Sequence, residues 1–255
     1  MIQINNLNFS YGNKKVLSNI NLEIANGSLN AIVGTNGVGK STLFRCLSKQ
    51  QPVKKDVIYV KNKDINNYSY QSFAHIISLV PQLVNIRGND IRVCDYMVEG
   101  RTPHLAFFSI PQKKDYLIVE KVAQQLELCS LLNERVSELS GGQQQLVSLG
   151  RAMVQDTPVI LLDEPMSALD LSNQSKLLIL FRKLSHQGKT IIFSTHNPNH
   201  ALSLNCNTIL LKNGSVMCYD VANSCITTQN LKSIYGNNVK CIDNDGELYC
   251  KLDLS

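Results

Sequence analysis

Short apolar runs separated by turns dominate the amino-terminal part of the chain. Residues 1–33 alternate apolar and polar positions and are interrupted at Gly12 and Gly27, which is the pattern of strands joined by turns. Residues 57–80 return to this pattern and end in the apolar run 76–80. The pattern predicts that this part of the chain consists mainly of β-strands.

Continuous apolar runs later in the chain predict strands that are buried on both faces, as in parallel sheets covered by helices. These runs are residues 159–162, 190–193 and 208–211. A helix-length segment, residues 173–187, separates the first two runs, and helical patterning also marks residues 116–132 and 143–155. The alternation of strand and helix predicts an α/β fold.

Length and composition exclude several classes of protein. The chain has 255 residues, of which 44% are hydrophobic and 18% charged, and this balance is globular rather than disordered. No apolar run approaches the roughly 20 residues that cross a bilayer. The amino terminus lacks the basic and then apolar pattern of a signal peptide. We therefore expect one or two domains that neither span a membrane nor are secreted by that route.

Cysteine spacing and net charge restrict the chemistry further. The eight cysteines include no Cys-x-x-Cys pair, so zinc-ligand spacing is absent. Because disulfide frameworks belong to small secreted chains, we expect reduced thiols. The net charge is +5, and the basic residues come mostly as pairs rather than runs. A solvated surface is therefore favoured over a site for nucleic acid or for an anionic membrane surface.

Residues 34–42 form a glycine-rich segment between an apolar run and a helical stretch that begins at Lys40. They match the pattern G-x-x-x-x-G-K-[ST] in full. Glycines let backbone N–H groups turn toward phosphate oxygens, and the helix amino terminus adds its positive dipole end. This predicts a nucleotide-binding loop in which Lys40 reaches the β- and γ-phosphates and Ser41 serves Mg²⁺. The residues expected at the phosphates are Gly34, Asn36, Gly37, Gly39, Lys40, Ser41 and Thr42.

Two carboxylates, Asp163 and Glu164, follow directly after the buried run 159–162. A strand that ends beside the phosphates would carry them into the site, where Asp163 holds Mg²⁺ through its water shell. Glu164 could then orient the attacking water or accept a proton from it. A solvated acidic turn is the alternative, and the upstream phosphate loop argues against it.

Residues 139–143, Leu-Ser-Gly-Gly-Gln, form a glycine turn at a helix start, with Ser140 as the expected N-cap. Alone, the segment fits an ordinary helix cap as well as an anion site. It lies between a phosphate loop and a strand that ends in two carboxylates, and this combination resembles the ATP-binding cassette (ABC) transporter ATPases over essentially the whole chain. The resemblance implies that four residues contact nucleotide: Ser140, Gly141, Gly142 and Gln143.

The resemblance also implies roles for four isolated side chains. Tyr11 would stack on adenine, and Gln82 would sense Mg²⁺ and water while facing the transporter. Asp170, in the segment 167–170, would lie in a loop that crosses a dimer interface, and His196 would contact the γ-phosphate. The catalytic set implied is Lys40, Gln82, Glu164 and His196, and the metal-binding set is Ser41, Gln82 and Asp163.

The fold that the resemblance implies is a P-loop NTPase core with an antiparallel β subdomain and an inserted helical subdomain that carries residues 139–143, the signature of the family. The expected ATPase domain is residues 1–226, with the helical subdomain at about 84–150 and a short extension at 227–255. Two copies would pack head to tail, each ATP lying between the phosphate loop of one copy and Ser140–Gly141–Gly142–Gln143 of the other. Charge neutralisation from both sides and exclusion of water would then promote hydrolysis.

The implied partners are a second ATPase subunit, an integral-membrane permease and, indirectly, an external substrate-binding protein, with no nucleic acid. The expected location is the cytoplasmic face of the plasma membrane. Residues 100–105, 197–202 and 235–239 look like those of metal-chelate importers, which take up ferric siderophores, haem or cobalamin. Residues 167–174 also look like molybdate and tungstate importers. The substrate therefore stays open between these classes.

Two rival classes are weighed against an importer. A soluble cassette ATPase of DNA repair would need a long coiled-coil insertion, and translation factors generally carry two cassettes, whereas this chain has one phosphate loop. A scaffold with degenerate motifs is opposed by the complete set of catalytic side chains. Departures from the family pattern are Met166 for threonine, Asn197 for aspartate and Gly150 for alanine, and none of them removes a group expected at phosphate or Mg²⁺.

Overall fold

The computed structural model describes residues 1–82, 91–106 and 108–253. Its strands are β1 (Ile2–Tyr11), β2 (Lys14–Ile24), β3 (Leu29–Val33), β4 (Ile58–Val60), β5 (Lys63–Asp64), β6 (Ile77–Val80), β7 (Val159–Leu162), β8 (Thr190–Thr195), β9 (Asn207–Lys212), β10 (Ser215–Val221), β11 (Val239–Asn244) and β12 (Glu247–Leu252). Its helices are α1 (Lys40–Leu47), α2 (Tyr70–Ala74), α3 (Val93–Val98), α4 (Lys113–Gln125), α5 (Gly141–Val154), α6 (Leu171–His186), α7 (Asn199–Leu204), α8 (Ala222–Cys225) and α9 (Thr228–Tyr235).

A six-stranded sheet in the order β10-β9-β3-β8-β7-β6 forms the centre of the protein. Neighbouring strands from β9 to β6 are parallel, and β10 adds an antiparallel edge. Along β8, Ile191 and Phe193 pack into the apolar core on one face, whereas Ile192 packs into the core on the other. Burial of both faces explains why the central strands are continuously apolar and confirms the predicted α/β fold.

A second, four-stranded antiparallel sheet has the order β2-β1-β4-β5. Its inward side chains, such as Ile4 and Leu22, share an apolar core with α1 and with one face of the large sheet. Strand β2 therefore lies close to the segment that links β3 to α1. The predicted antiparallel subdomain is confirmed, and its position matters because β2 contributes to the candidate site.

Helices α3, α4 and α5 form the helical part inserted between β6 and β7, as the resemblance implied. The guanidinium of Arg101 donates to the carbonyl of Val154 and pairs with Asp115, at 3.1 and 3.2 Å. The ring Nε2 of His104 donates to the carbonyl of Gln155 at 2.8 Å. These two side chains satisfy carbonyls at the end of α5 that have no intrahelical partner. The segment 100–105 thus holds the helix that begins at the glycine turn.

Three expectations about local structure are wrong. Helix α4 ends at Gln125, earlier than the predicted 132, because Glu127 adopts a left-handed conformation with φ of 58°. The strand-like stretch 57–80 contains the short helix α2, which Ser69 caps. The expectation of eight reduced cysteines also fails, since Cys218 and Cys225 form a disulfide where β10 leads into α8, with Cα atoms 5.8 Å apart.

The carboxyl-terminal residues of the described chain pack against the central fold. Helix α9 and the hairpin of β11 and β12 follow the last strands of the large sheet. The side-chain amide of Asn199 in α7 bonds both backbone groups of Cys250, at 2.7 and 3.1 Å. Among the residues described, no helix combines the length and apolar character needed to cross a membrane.

Candidate nucleotide-binding site

The glycine-rich loop joins β3 to α1 by close backbone approaches. A Cβ at Gly34 would lie 2.8 Å from the carbonyl oxygen of Leu211, so a larger residue does not fit there. Gly39 precedes α1 with φ of 113° and has no side chain to occupy the first-turn N–H groups. These N–H groups and the helix dipole form a binding position for an anion such as phosphate.

Lys40, the first residue of α1, is 4% exposed and has three oxygen partners. Its Nζ donates to the carbonyls of Gly34 and Thr35 at 2.8 and 3.1 Å. The same atom lies 3.0 Å from Oε1 of Glu164. The two carbonyls hold the ammonium group over the loop that carries it, which orients its charge toward the cavity.

The carboxylate of Glu164 is the point where the predicted catalytic residues meet. Its Oε2 accepts a hydrogen bond from Nε2 of Gln82 at 3.3 Å and lies 3.3 Å from Nδ1 of His196. Lys40 contacts its other oxygen. These side chains follow β6, β7 and β8 or begin α1, so the carboxyl ends of neighbouring strands bring them together.

Ser194, near the end of β8, is a site residue that the sequence analysis did not single out. Its hydroxyl donates to Oδ1 of Asp163 at 2.7 Å and accepts from the backbone N–H of Glu164 at 2.8 Å. It is fully buried. The N–H bond holds Glu164 in a left-handed conformation, with φ of 46°, and the hydroxyl orients Asp163. A hydroxyl among apolar strand residues just before His196 was the available signal.

A cavity of about 260 Å³ lies between the glycine loop, β2 and the ends of β6 and β7. Its lining residues are Val16, Asn36, Gly37, Gly39, Lys40, Ser41, Thr42, Gln82 and Glu164. Asp163 reaches this region through its bond with Ser194, and His196 through its contact with Glu164. The structure therefore groups the predicted phosphate, metal and catalytic residues around one cavity.

The remaining predicted residues lie elsewhere in the described part of the chain. Tyr11, at the end of β1, is 42% exposed. Its ring packs edge-to-face with that of Phe9, and the two ring centroids are 5.0 Å apart. Ser140 caps α5 through the backbone N–H of Gln143, and the Gln143 side chain returns a bond to the N–H of Ser140. Asp170 likewise caps α6. Adenine stacking by Tyr11 and nucleotide contact by residues 140–143 stay predictions.

The glycine turn of the signature and the loop before α6 touch within one chain. A Cβ at Gly142 would lie 3.0 Å from the carbonyl oxygen of Ala168 and 3.3 Å from a methyl carbon of Leu169. Glycine at this position lets the start of α5 approach the loop closely. A movement of that loop would therefore also displace the start of α5.

Two ionisable side chains near His196 have displaced pKa values. Burial, with a smaller contribution from the charge of His196, lowers the pKa of His200 to about 4. Burial raises the pKa of Tyr235, whose hydroxyl donates to the backbone carbonyl of His196 at 3.0 Å. Both groups are therefore neutral near pH 7. In the described residues, no group of three or more His, Cys, Asp or Glu side chains could hold a metal ion by itself.

Comparison with known proteins identifies the family. The model of the ABC transporter family matches residues 17–167, which is more than half of the chain. The chain belongs to the ABC transporter family. The predicted α/β ATPase fold and the predicted family are therefore confirmed, and the chain is an ATP-binding cassette that hydrolyses ATP.

This cassette is similar to ATP-binding subunits of transporters along most of its length. It is 33% identical over 238 residues to the ferric enterobactin transport ATP-binding protein FepC of Escherichia coli (strain K12), covering 93% of this chain and 88% of the relative. A metal-chelate type ABC transporter in an inward-facing conformation is similar with a TM-score of 0.83 at 29% identity, covering 98% and 95% of the two chains. The dimeric structure of a bacterial ABC transporter cassette is similar with a TM-score of 0.78 at 27% identity, covering 87% and 99%.

Proposed function

We propose that this cassette is the ATP-hydrolysing subunit of an importer for a metal chelate such as a ferric siderophore. The names of FepC and of the metal-chelate type transporter support the substrate class. The observation that carries the assignment of catalytic residues is the Glu164 carboxylate, which lies 3.0 Å from Lys40 and 3.3 Å from both Gln82 and His196. These are the side chains that water activation beside a phosphate requires.

Lys40 and the start of α1 bind the phosphates in this proposal. The ammonium is held beside the loop by two backbone carbonyls and Glu164, so a phosphate oxygen would replace at least one of these three acceptors. The N–H groups after Gly39 add partial positive charge at the same place. The phosphates thus meet fixed dipoles and one mobile point charge.

Glu164 orients the attacking water or takes its proton. Its Oε2 is held by Gln82 and His196 together, which limits rotation of the carboxylate. Because a carboxylate oxygen accepts, Nδ1 of His196 carries the proton in that contact. More than half of the His196 side chain is exposed, so the ring is also accessible to a γ-phosphate.

The residues present fit a magnesium ion. Ser41, Gln82 and Asp163 supply a hydroxyl, an amide and a carboxylate oxygen, the hard ligands that Mg²⁺ prefers. Ser194 donates to Oδ1 of Asp163, and a hydrogen bond of this kind commonly orients a carboxylate that binds a metal. When bound, Mg²⁺ would neutralise charge on the β- and γ-phosphate oxygens.

A second copy of the chain completes the site in this proposal. Gly142 lies against the loop 167–170 of the same chain, and residues 140–143 are not among those that line the cavity at Lys40. The dimeric form of a similar cassette supports head-to-tail pairing. In such a pair, the exposed Ser140 and Gly141 of one copy would cover the phosphates held by the other.

The permease would dock on the helical part of the cassette. An open groove of about 810 Å³ lies between α2, α3 and the segment before α4. Tyr70, Phe108 and Ile110 line it and are 78%, 95% and 79% exposed. Apolar side chains grouped in this way are typical of a protein-binding surface. Docking there would place the cassette at the cytoplasmic face of a membrane, with a substrate-binding protein acting on the other side.

Molybdate or tungstate import is the alternative substrate class. The segment 167–174 suggested it, but its polar residues have roles within the chain. Asp170 caps α6 through the N–H of Asn173, and Gln174 bonds backbone carbonyls of Met166 and Leu169. These contacts would serve any cassette, so they do not favour an oxyanion over a metal chelate.

Reconstitution with the co-purifying permease tests the proposal. We expect ATP hydrolysis in the presence of Mg²⁺, stimulated when the permease and a metal chelate with its binding protein are added. Ile110→Asp should weaken co-purification with the permease and leave basal hydrolysis unchanged. Stimulation by molybdate alone would overturn the metal-chelate assignment, and a hydrolysis rate that the permease does not change would overturn the role as an importer subunit.

A further inference from the structure

A chain of hydrogen bonds connects the loop before α6 with the turn that carries His196. The side-chain Nε2 of Gln174 donates to the carbonyls of Met166 and Leu169, at 3.2 and 2.9 Å. Both carbonyls belong to the loop that joins β7 to α6. The amide of Gln174 therefore ties its own helix to this loop at two points.

The other end of the Gln174 amide reaches α7. Its Oε1 lies 3.2 Å from Nε2 of His200, and Nδ1 of His200 lies 2.9 Å from the hydroxyl of Thr195. Thr195 is buried, ends β8 and directly precedes His196. Its hydroxyl also accepts from the backbone N–H of Asn197 at 3.0 Å. One imidazole thus bridges the loop that follows Asp163 and Glu164 and the strand end that precedes His196.

The partners of Gln174 fix the tautomer of His200. Both donors on the amide nitrogen point at carbonyls, so Oε1 is left as an acceptor and Nε2 of His200 must carry the proton. Nδ1 then accepts from the Thr195 hydroxyl. The amide nitrogen of Asn197 also lies near Nε2 of His200, at 3.4 Å, and would donate to it if Nε2 were unprotonated. That tautomer is disfavoured, because the lone pair of Nε2 would then face the lone pairs of Gln174 Oε1 at the shorter distance of 3.2 Å.

Neutral His200 suits this bridge because it donates at one nitrogen and accepts at the other. Burial lowers its pKa to about 4, so this form dominates near neutral pH. A doubly protonated ring would lose the acceptor that the Thr195 hydroxyl uses. Burial and hydrogen bonding therefore agree on the same protonation state.

We propose that Gln174, His200 and Thr195 are positioning residues that make the loop 166–170 and the His196 turn move as one unit. The inference rests on the proposed function, in which His196 meets the γ-phosphate of a site shared by two copies, and on the expectation that the segment 167–170 crosses the interface between them. Association of two copies would then set the orientation of the histidine in each site. Close packing of Gly142 against Ala168 extends the same unit to the signature turn.

Single and paired substitutions test the bridge in the full chain. His200→Asn keeps an acceptor near the position of Nδ1 and can retain the bond with Thr195. His200→Gln is long enough to retain the bond with Gln174. Each variant therefore keeps one of the two hydrogen bonds. Both should lower kcat by about ten-fold, the effect of one misplaced hydrogen bond in the transition state, with KM for ATP changed less than two-fold. Gln155→Leu is the matched control for Gln174→Leu, because the amide of Gln155 also donates to two backbone carbonyls, those of Ala74 and Ile77.

A double-mutant cycle gives a readout that a general structural defect would not move. Gln174→Leu and Thr195→Val remove groups that meet only through His200, so their effects on kcat should be non-additive if the bridge acts as one unit. In a Glu164→Gln background, the same variants should still dimerise with ATP. Additive effects, unchanged kcat, or equal losses in Gln155→Leu would overturn the bridge. Absence of hydrolysis and of ATP-dependent dimers in the unmodified chain would instead overturn the proposed function.

Discussion

The Nζ atom of Lys40 lies 3.0 Å from the Oε1 atom of Glu164, and both side chains are buried. A buried charge is costly unless it is paired, and removal of one partner leaves the other uncompensated. The phosphate loop and the end of β7 are therefore coupled electrostatically as well as through the sheet. Substitutions at these two positions should have different consequences, because one residue is expected to bind phosphate and the other to act on water.

Glu164→Gln should preserve ATP binding and lower the rate of hydrolysis by about 10²- to 10⁴-fold, the range for a lost general base. The amide keeps the size of the side chain and can still bond Gln82. Because ATP then persists, the dimer should accumulate, which size-exclusion chromatography with light scattering would detect. Glu120→Gln, on the exposed face of α4, is the control and should hydrolyse ATP normally. Unchanged turnover of Glu164→Gln would reject its catalytic role.

Lys40→Ala should weaken nucleotide binding itself by more than about ten-fold, because charge-assisted bonds to phosphate are lost. The substitution also leaves Glu164 buried without its cation, so the free energy of unfolding should fall. Calorimetric titration with ATP measures the first effect and urea unfolding followed by circular dichroism the second. Lys113→Ala, at an exposed position of α4, should change neither. Wild-type affinity in Lys40→Ala would contradict the phosphate-loop assignment.

Ser194→Ala should lower kcat by about ten-fold, since Asp163 and the backbone of Glu164 both lose a buried hydrogen bond. The expected loss in the free energy of unfolding is about 1–3 kcal/mol. Ser185→Ala removes another hydroxyl bond, to the carbonyl of Gly27, and provides a control far from the cavity. If both variants kept full activity at equal stability, Ser194 would have only a structural role.

Asp115→Asn should reduce stability near neutral pH but not in acid. Its bond from the backbone N–H of Gln112, together with Arg101, holds the pKa of Asp115 below its usual value. A carboxyl with a lowered folded-state pKa contributes stability above its unfolded pKa of about 4 and loses it as pH falls through the folded value. Urea unfolding at several pH values should show the wild type and variant converging below pH about 4. A constant difference down to the lowest pH would contradict this linkage.

Much of the fold could be predicted because a strand that is buried on both faces is a continuous apolar run in the sequence. The apolar run 159–162 coincides with β7, and the runs at 190–193 and 208–211 lie within β8 and β9. Helix α2 was not predicted because only Phe73 in it is buried, so its five residues carry little periodicity. Helix α4 ends where Glu127 adopts a left-handed conformation. Glutamate rarely adopts it, so the sequence gives no indication of this end.

The sequence by itself determined the chemistry of this cassette, because a glycine loop followed by Lys40 and a strand ending in two carboxylates already specify the groups that a nucleotide needs. Only the tertiary structure decided how those groups are held. Ser194 supports Asp163 from a neighbouring strand, and His200 joins Gln174 to Thr195 across two helices and a strand end. Such hydrogen bonds depend on side-chain directions between segments far apart in the chain, which no local pattern records.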